Sequence, residues 1–349
     1  MILIAVIGGG LFAVSYFEKR EQSREAEAIS ASEAASVQPL QLYYNGRWYR
    51  LRDGLETCLV LGIDKFSDYA ATFVEGDLLN DLQSDVLILM IEDKAAGSWT
   101  ALQLNRDTMC EIRRLGISGE KTGTAIQQLC LSHTYGSGGK DSCRNSVKAV
   151  SRLLYDVPID HYYAVTMDAI PVLNDLVGGV TVHVDDDLTA ADPVLVQGTD
   201  VTLHGDQALH FVRARMSVAD GTNLSRMNRQ RVFLDALYTQ MRTRLQNDSR
   251  FALSMANRLA EYSTSDLIPE ELSELAERLK DEEFRGIQTT TGEAVQGEKY
   301  LEFYPDEEKL KTEVLSLFFE YWLITTSGII LAILVPCPKS GFRPSLIPA

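Results

Sequence analysis

Asn105-Arg106-Asp107-Thr108 decides the reading of this chain, because it gathers two distant segments onto one edge of a sheet. Residues 86–91, Val-Leu-Ile-Leu-Met-Ile, follow Ser84-Asp85 without a polar interruption. A polar connection over 92–98 leads into a second run, 99–105, that ends at Arg106. Two apolar runs joined by a short polar link predict a β-hairpin, which sets Arg106 beside Asp85. Residues 58–63 form a third apolar run, ending at Asp64. If that run pairs antiparallel with 86–91, Asp64 joins the other two. Nearly unbroken apolar runs suit strands buried on both faces.

The composition is globular, and 349 residues are enough for a large core. Against 33 Lys and Arg stand 49 Asp and Glu, a net charge of −16. Such a balance argues against a nucleic-acid binder, which needs a basic field.

Residues 1–17 are uncharged and mostly apolar, and span about 25 Å as a helix. A single-pass membrane anchor is expected there, with a cleaved signal segment as the rival reading. A polar tether then carries a small hairpin at Asn45-Gly46, together covering 18–56. The main domain is expected over 57–245, followed by an appended helical extension over 246–320. The tail, 321–349, opens with a second uncharged apolar stretch. None of the five cysteines forms Cys-x-x-Cys, so structural zinc is not expected. Cys130 and Cys143 flank a glycine-rich loop, which leaves a disulfide and two buried thiols both open.

Within the main domain, a helix is expected from Ser142, a strand from His161, a helix capped at Asp168 and a strand from Val180. This alternation predicts an α/β fold, a central sheet flanked by helices. Residues 208–214 are a further strand candidate, with Arg213 and Arg215 on one face. A long helix should start at Asn223, presenting Arg226, Arg229 and Gln230 in its first turns. The loop 135–141 lacks the residues of a phosphate-binding P-loop and is expected to be a flexible lead-in to a helix. The five histidines show no metal-ligand spacing and no Gly-x-Ser-x-Gly is present, so a zinc enzyme and a serine hydrolase are not expected.

Arginine clamps phosphate through a planar fork, and Mg²⁺ takes one or two carboxylates plus phosphate oxygens and water. Arg213 and Arg215, followed by Arg226 and Arg229 at a helix start, concentrate four guanidiniums, and with Asp64 and Asp85 they describe a pyrophosphate site working by positioning and charge neutralisation. Taken singly, arginines on an acidic protein are commonly salt-bridged surface, and an Asp ending a strand is commonly a turn residue.

The chain resembles the LytR-CpsA-Psr proteins, enzymes of the bacterial envelope. Eight ordered blocks carry the resemblance: Leu61-Gly62-Ile63-Asp64, Ser84-Asp85, Asn105-Arg106-Asp107-Thr108 and Pro158-Ile159-Asp160-His161-Tyr162 come first. Asn174 to Val182, Leu203 to Leu209, Phe211-Val212-Arg213-Ala214-Arg215 and Arg226-Met227-Asn228-Arg229-Gln230 follow. The resemblance implies a central mixed sheet and a phosphotransferase that moves a glycopolymer, such as teichoic acid or capsule, from a polyprenyl-pyrophosphate carrier to peptidoglycan. It implies Mg²⁺ (or Mn²⁺) held by Asp64 and Asp85, and catalytic arginines at 106, 213, 215 and 226. Gln230, Arg229 and Asp107 would contact substrate, Gln230 by orienting a phosphate oxygen or the helix start. The catalytic domain would sit outside the cytoplasm beside membrane lipid, with no nucleic-acid partner. A pyrophosphatase acting on lipid-linked intermediates, and a non-catalytic regulator gripping polyprenyl phosphate, are the alternative readings.

Overall fold

The structure, a computed structural model, describes residues 40–63, 71–214, 223–298 and 300–322. The expectations for the anchor at 1–17, for Asp64 and Arg215, and for the tail beyond Trp322 fall outside these residues. The chain divides into two units. The smaller holds the expected hairpin, Gln41–Tyr44 paired with Arg47–Leu51. Asn45 and Gly46 turn it with φ of 48° and 76°, as a two-residue hairpin turn requires.

The larger unit, 52–319, is built on a six-stranded mixed sheet. Its order is Ser263–Ser265, His161–Thr166, Leu55–Ile63, Ser84–Asp93, Ser98–Leu104 and Glu283–Thr289. The hairpin at its centre forms as the apolar runs predict, and Leu55–Ile63 pairs antiparallel with Ser84–Asp93. Cross-strand rows result: Leu61–Leu87–Leu104 and Leu59–Leu89–Leu102. All six leucines are 2% exposed or less, and each contributes about 2 kcal/mol by leaving water.

The opposite face carries Ile88, Trp99 and Ala101, packed against Leu234 and Tyr238 of the long helix Asn223–Asn247 and against Leu275 and Leu279 of Pro269–Leu279. Trp99 stacks on Phe284 at 4.2 Å between ring centroids. Gly62 is needed where it stands, since a Cβ there would meet the Val86 Cβ at 2.9 Å. Its register also shifts between Gly62 and Ile63, and such bulges re-aim side chains at sheet edges.

Four expectations change. Residues 246–320 are not an appended helical extension, because Ser263–Ser265 and Glu283–Thr289 form both edges of the central sheet. Val180–His183 does not continue the sheet but pairs only with Asp200–Leu203 among the described strands. The 208–214 strand is a helix, Asp206–Arg213. Ala208, Phe211 and Val212 are its buried residues, and the i, i+3, i+4 spacing makes a helical stripe. The loop before Lys140–Leu153 is bonded rather than loose. The Asn80 amide donates to the carbonyls of His133 at 2.9 Å and Gly136 at 3.1 Å.

His133 is wholly buried, with Nδ1 at 2.8 Å from the Leu82 carbonyl and Nε2 at 3.7 Å from Cys143 Sγ. Burial pushes its imidazole down to about 4, against the opposite pull of the Leu82 carbonyl. A histidine depressed in the folded state supports stability above its unfolded pKa and loses that support as pH falls. We expect wild-type stability to drop by about 2–3 kcal/mol between pH 7 and pH 4.5 from this residue alone. Urea unfolding at both pH values should show His133→Asn losing correspondingly less. Equal losses in the two proteins would remove His133 as the source.

Candidate active site

The Asn105–Thr108 stretch folds as a closed turn. The Asn105 side-chain oxygen accepts from Asp107 N at 3.0 Å, while its backbone carbonyl accepts from the Thr108 amide at 3.1 Å and hydroxyl at 2.7 Å. A short 3₁₀ segment, Leu129–Ser132, fastens this turn from outside. Cys130 N donates to the Arg106 carbonyl at 2.9 Å and Leu129 N to the Thr108 carbonyl at 2.8 Å. The backbone of Arg106 is therefore fixed before its side chain makes any contact.

The Arg106 guanidinium is then held by neighbours from three segments. Nη1 pairs with Asp85, Nη2 donates to Gln83 Oε1 at 2.6 Å and to Cys130 Sγ at 3.1 Å, and Nε lies 3.5 Å from Asp107 Oδ1. Asp85 uses its second oxygen on Arg226, whose Nη1 is 3.7 Å away. One carboxylate thus serves two guanidiniums, with side chains only 12%, 13% and 6% exposed for Asp85, Arg106 and Arg226. Desolvated charge pairs of this kind are costly to break, because the survivor is stranded. Burial raises the Cys130 thiol against the pull of the Arg106 guanidinium, which keeps the sulfur a neutral acceptor.

Arg226 sits one turn before Gln230 on the long helix, and the helix start is strapped down beside it. Arg229 donates to the Ala214 carbonyl, to Ser225 Oγ at 2.9 Å and toward Asp186 Oδ2 at 3.3 Å. Gln230 Nε2 lies 3.4 Å from the Val212 carbonyl, and Gln230 Oε1 lies 3.5 Å from Gln103 Nε2 on the central sheet. Arg213, with its side chain exposed at the end of its helix, lies between those two anchored carbonyls in sequence.

Asp85, Arg106, Asp107 and Arg226 are therefore brought into one network, within which the hairpin argument required only that Arg106 stand beside Asp85. Gln230 reaches toward the Val212 carbonyl and Gln103, and Arg229 braces the same helix. Asp107 is tied into the fold, since its Oδ1 accepts from Gln128 at 3.1 Å and its carbonyl from Phe303 N at 2.9 Å. Gln83, Gln103 and Cys130 were not anticipated. Gln83 shares strand parity with Asp85, a signal available in the sequence, whereas Cys130 reaches Arg106 only through the tertiary fold. Cys130 and Cys143 are both free and buried.

No cluster of three or more His, Cys, Asp or Glu suited to a metal occurs among the described residues. Asp85 by itself still supplies hard oxygen donors, and a Mg²⁺ ion that arrives with pyrophosphate needs only one or two protein carboxylates. Both oxygens of Asp85 face guanidiniums, so such an ion would have to draw the carboxylate from them.

Comparison with known proteins agrees with this architecture. The sequence profile of the LytR_cpsA_psr family matches residues 13–313. The polyisoprenyl-teichoic acid–peptidoglycan teichoic acid transferase TagU of Bacillus cereus is 28% identical over 243 residues, covering 65% of this chain and 64% of that relative. The matched stretch thus spans just under two thirds of that relative's length. Protein gbs0355 from Streptococcus agalactiae shares the fold with a TM-score of 0.59 at 19% identity, over 75% of this chain and 86% of that one. TagT bound to LI-WTA does so with a TM-score of 0.55 at 20% identity, over 75% and 90%. A profile match running through most of the chain, over a fold held in common with both structures, makes this protein a member of the LytR_cpsA_psr family.

Proposed function

We propose that the protein is a phosphotransferase that moves a glycopolymer from a polyprenyl-pyrophosphate carrier to peptidoglycan. The observation that carries this reading is the Asp85 carboxylate shared by two nearly buried guanidiniums. Two arginines converging on one oxyanion form a cradle for a pyrophosphate, which offers more oxygens and more charge than the carboxylate it would replace. The name of the TagU relative, a polyisoprenyl-teichoic acid–peptidoglycan teichoic acid transferase, supports the substrate class.

In this reading Arg106 and Arg226 bind the pyrophosphate and stabilise the charge that grows as the bond to the carrier breaks. Their neighbours hold both guanidiniums in place beforehand, so little reorganisation is needed during reaction. Arg213 and Arg215 are proposed to complete the clamp, and Asp64 to join Asp85 in holding Mg²⁺ (or Mn²⁺). The ion, when bound, would neutralise phosphate charge. Asp107 and Arg229, tied to fold partners, are positioning residues. The sugar hydroxyl of peptidoglycan attacks the phosphorus that bears the glycopolymer and gives up its proton to water, a new P–O bond forms, and polyprenyl phosphate leaves with the electrons of the broken P–O bond. Residues 1–17 are proposed to anchor the chain in the cell membrane, with the catalytic domain outside the cytoplasm. No helix among the described residues is long and apolar enough to cross a membrane.

The direct assay incubates the protein with a polyprenyl-pyrophosphoryl saccharide, peptidoglycan fragments and Mg²⁺, and looks for a phosphodiester-linked adduct by mass spectrometry. We expect an adduct that disappears with EDTA. Release of sugar phosphate without adduct would replace the transferase by a hydrolase. Arg106→Lys should lower turnover at least about 100-fold, the scale of losing one preorganised donor at developing charge; turnover within a few-fold of wild type would remove Arg106 from the chemistry.

Arg226 and Arg229 should separate by readout. Arg226→Lys is expected to cut kcat with little change in melting temperature. Arg229→Ala should lower stability by about 2 kcal/mol through its lost braces, with a smaller effect on turnover per folded molecule. The reverse pattern would exchange their roles.

A further inference from the structure

A cavity of about 560 Å³ opens between Arg113 on Met109–Leu115, Arg144 and Lys148 on Lys140–Leu153, and Tyr162 at the head of His161–Thr166. It is separate from the arginine cluster. His161 pairs with Cys58, well back along Leu55–Ile63, whereas Ser84 beside Asp85 pairs with Ile63 at that strand's end.

Three carboxylates line the cavity, and each is already engaged. Asp160 Oδ2 accepts from Thr57 N and Oγ1, both at 2.9 Å. Asp266 accepts from Tyr162 N at 2.9 Å and lies 3.0 Å from His161 Nδ1. Asp141 Oδ2 accepts from Ser137 N at 2.7 Å and Oδ1 from Ser137 Oγ at 2.5 Å. The cations are not engaged in this way, since Arg113, Arg144 and Lys148 form no ion pair among the described residues. Arg144 and Lys148 are four apart and share a helix face.

The wall also contains polar atoms without partners. The Tyr162 hydroxyl, Arg113 Nε and Asn145 Oδ1 are buried and make no hydrogen bond, and Tyr162 is only 4% exposed. These atoms lie beneath the cavity surface, so the exposed charges of Arg144 and Lys148 and the Arg113 guanidinium are what a ligand would meet. Cations without an ion pair around one cavity suit an anion rich in acceptors. Concentrating three unpaired cations is also notable on a chain of net charge −16.

We propose that this cavity is a second anion subsite, in which Arg113, Arg144 and Lys148 hold a phosphate group of a phosphate-rich glycan at a distance from the arginine cluster. Phosphate offers oxygens in several directions, which suits cations arriving from a strand and from a helix. The glycan identity rests on the transferase reading; the anion preference rests on the cavity alone.

The probe is a fluorescein-labelled hexa(glycerol phosphate), and the readout is anisotropy at low salt with the full chain in a neutral detergent. The double variant Arg144→Glu/Lys148→Glu replaces two exposed side chains, so its fold can be checked by near-UV circular dichroism. Its affinity should fall at least ten-fold, both in the wild-type background and in Arg106→Ala. Arg106→Ala alone should retain binding while losing turnover, which separates failure of the subsite from failure of the transferase reading. An unchanged affinity in the double variant would overturn the proposal. So would an equal loss in the control Arg242→Glu/Arg258→Glu, since that would reduce the effect to net charge.

Discussion

The sharing of one carboxylate between two guanidiniums is the constraint on which the site depends. Asp85 stands at the start of a central strand, Arg106 just past the end of the next, and Arg226 in the first turns of a helix far along the chain. Joining three elements at one point needs the sheet register, the Asn105 turn and the helix start to be correct together. Two cations nearly sealed from water are only partly balanced by the single charge of Asp85, which leaves them poised for an anion of higher charge. The cost of that arrangement is spread over the surrounding framework. Gln83 and Cys130 accept from Arg106 Nη2 and Asp107 lies 3.5 Å from its Nε, while Arg229 and Gln230 fix the helix that carries Arg226.

The two ends of the sheet use charge differently. At the far end of the Ser84–Asp93 strand, buried Glu92 accepts from Arg278 at 2.6 and 2.8 Å. Arg278 also reaches Glu56 Oε2 at 3.1 Å, and the three side chains pin the Pro269–Leu279 helix onto the sheet. Asp85 divides itself between two partners at 12% exposure, and neither arginine has it alone.

Much of this was legible because it followed from strand periodicity. Unbroken apolar runs joined by a short polar link specify a hairpin, and a hairpin dictates that Arg106 meets Asp85. The 208–214 segment shows the limit of that reasoning. Ala208, Phe211 and Val212 stand at the i, i+3, i+4 spacing of a helix, a signal too short in eight residues to outweigh the apolar run until the segment packs in the core with Phe233 and Leu237. Glu283–Thr289 was hidden for another reason: Glu-Phe-Arg-Gly-Ile-Gln-Thr is weakly apolar, yet it pairs in parallel with Ser98–Leu104 across a bulge between Phe284 and Ile287. The Cys130 contact depends on a 3₁₀ segment whose position is set by long-range backbone bonds, so no local pattern announces it.

The most direct test of the account is a crystal structure of the protein with geranyl pyrophosphate and Mg²⁺. The account predicts pyrophosphate oxygens within hydrogen-bond distance of both Arg106 and Arg226, with Asp85 drawn from the guanidiniums toward the metal. Pyrophosphate bound elsewhere, with Asp85 still bridging the two arginines, would contradict it.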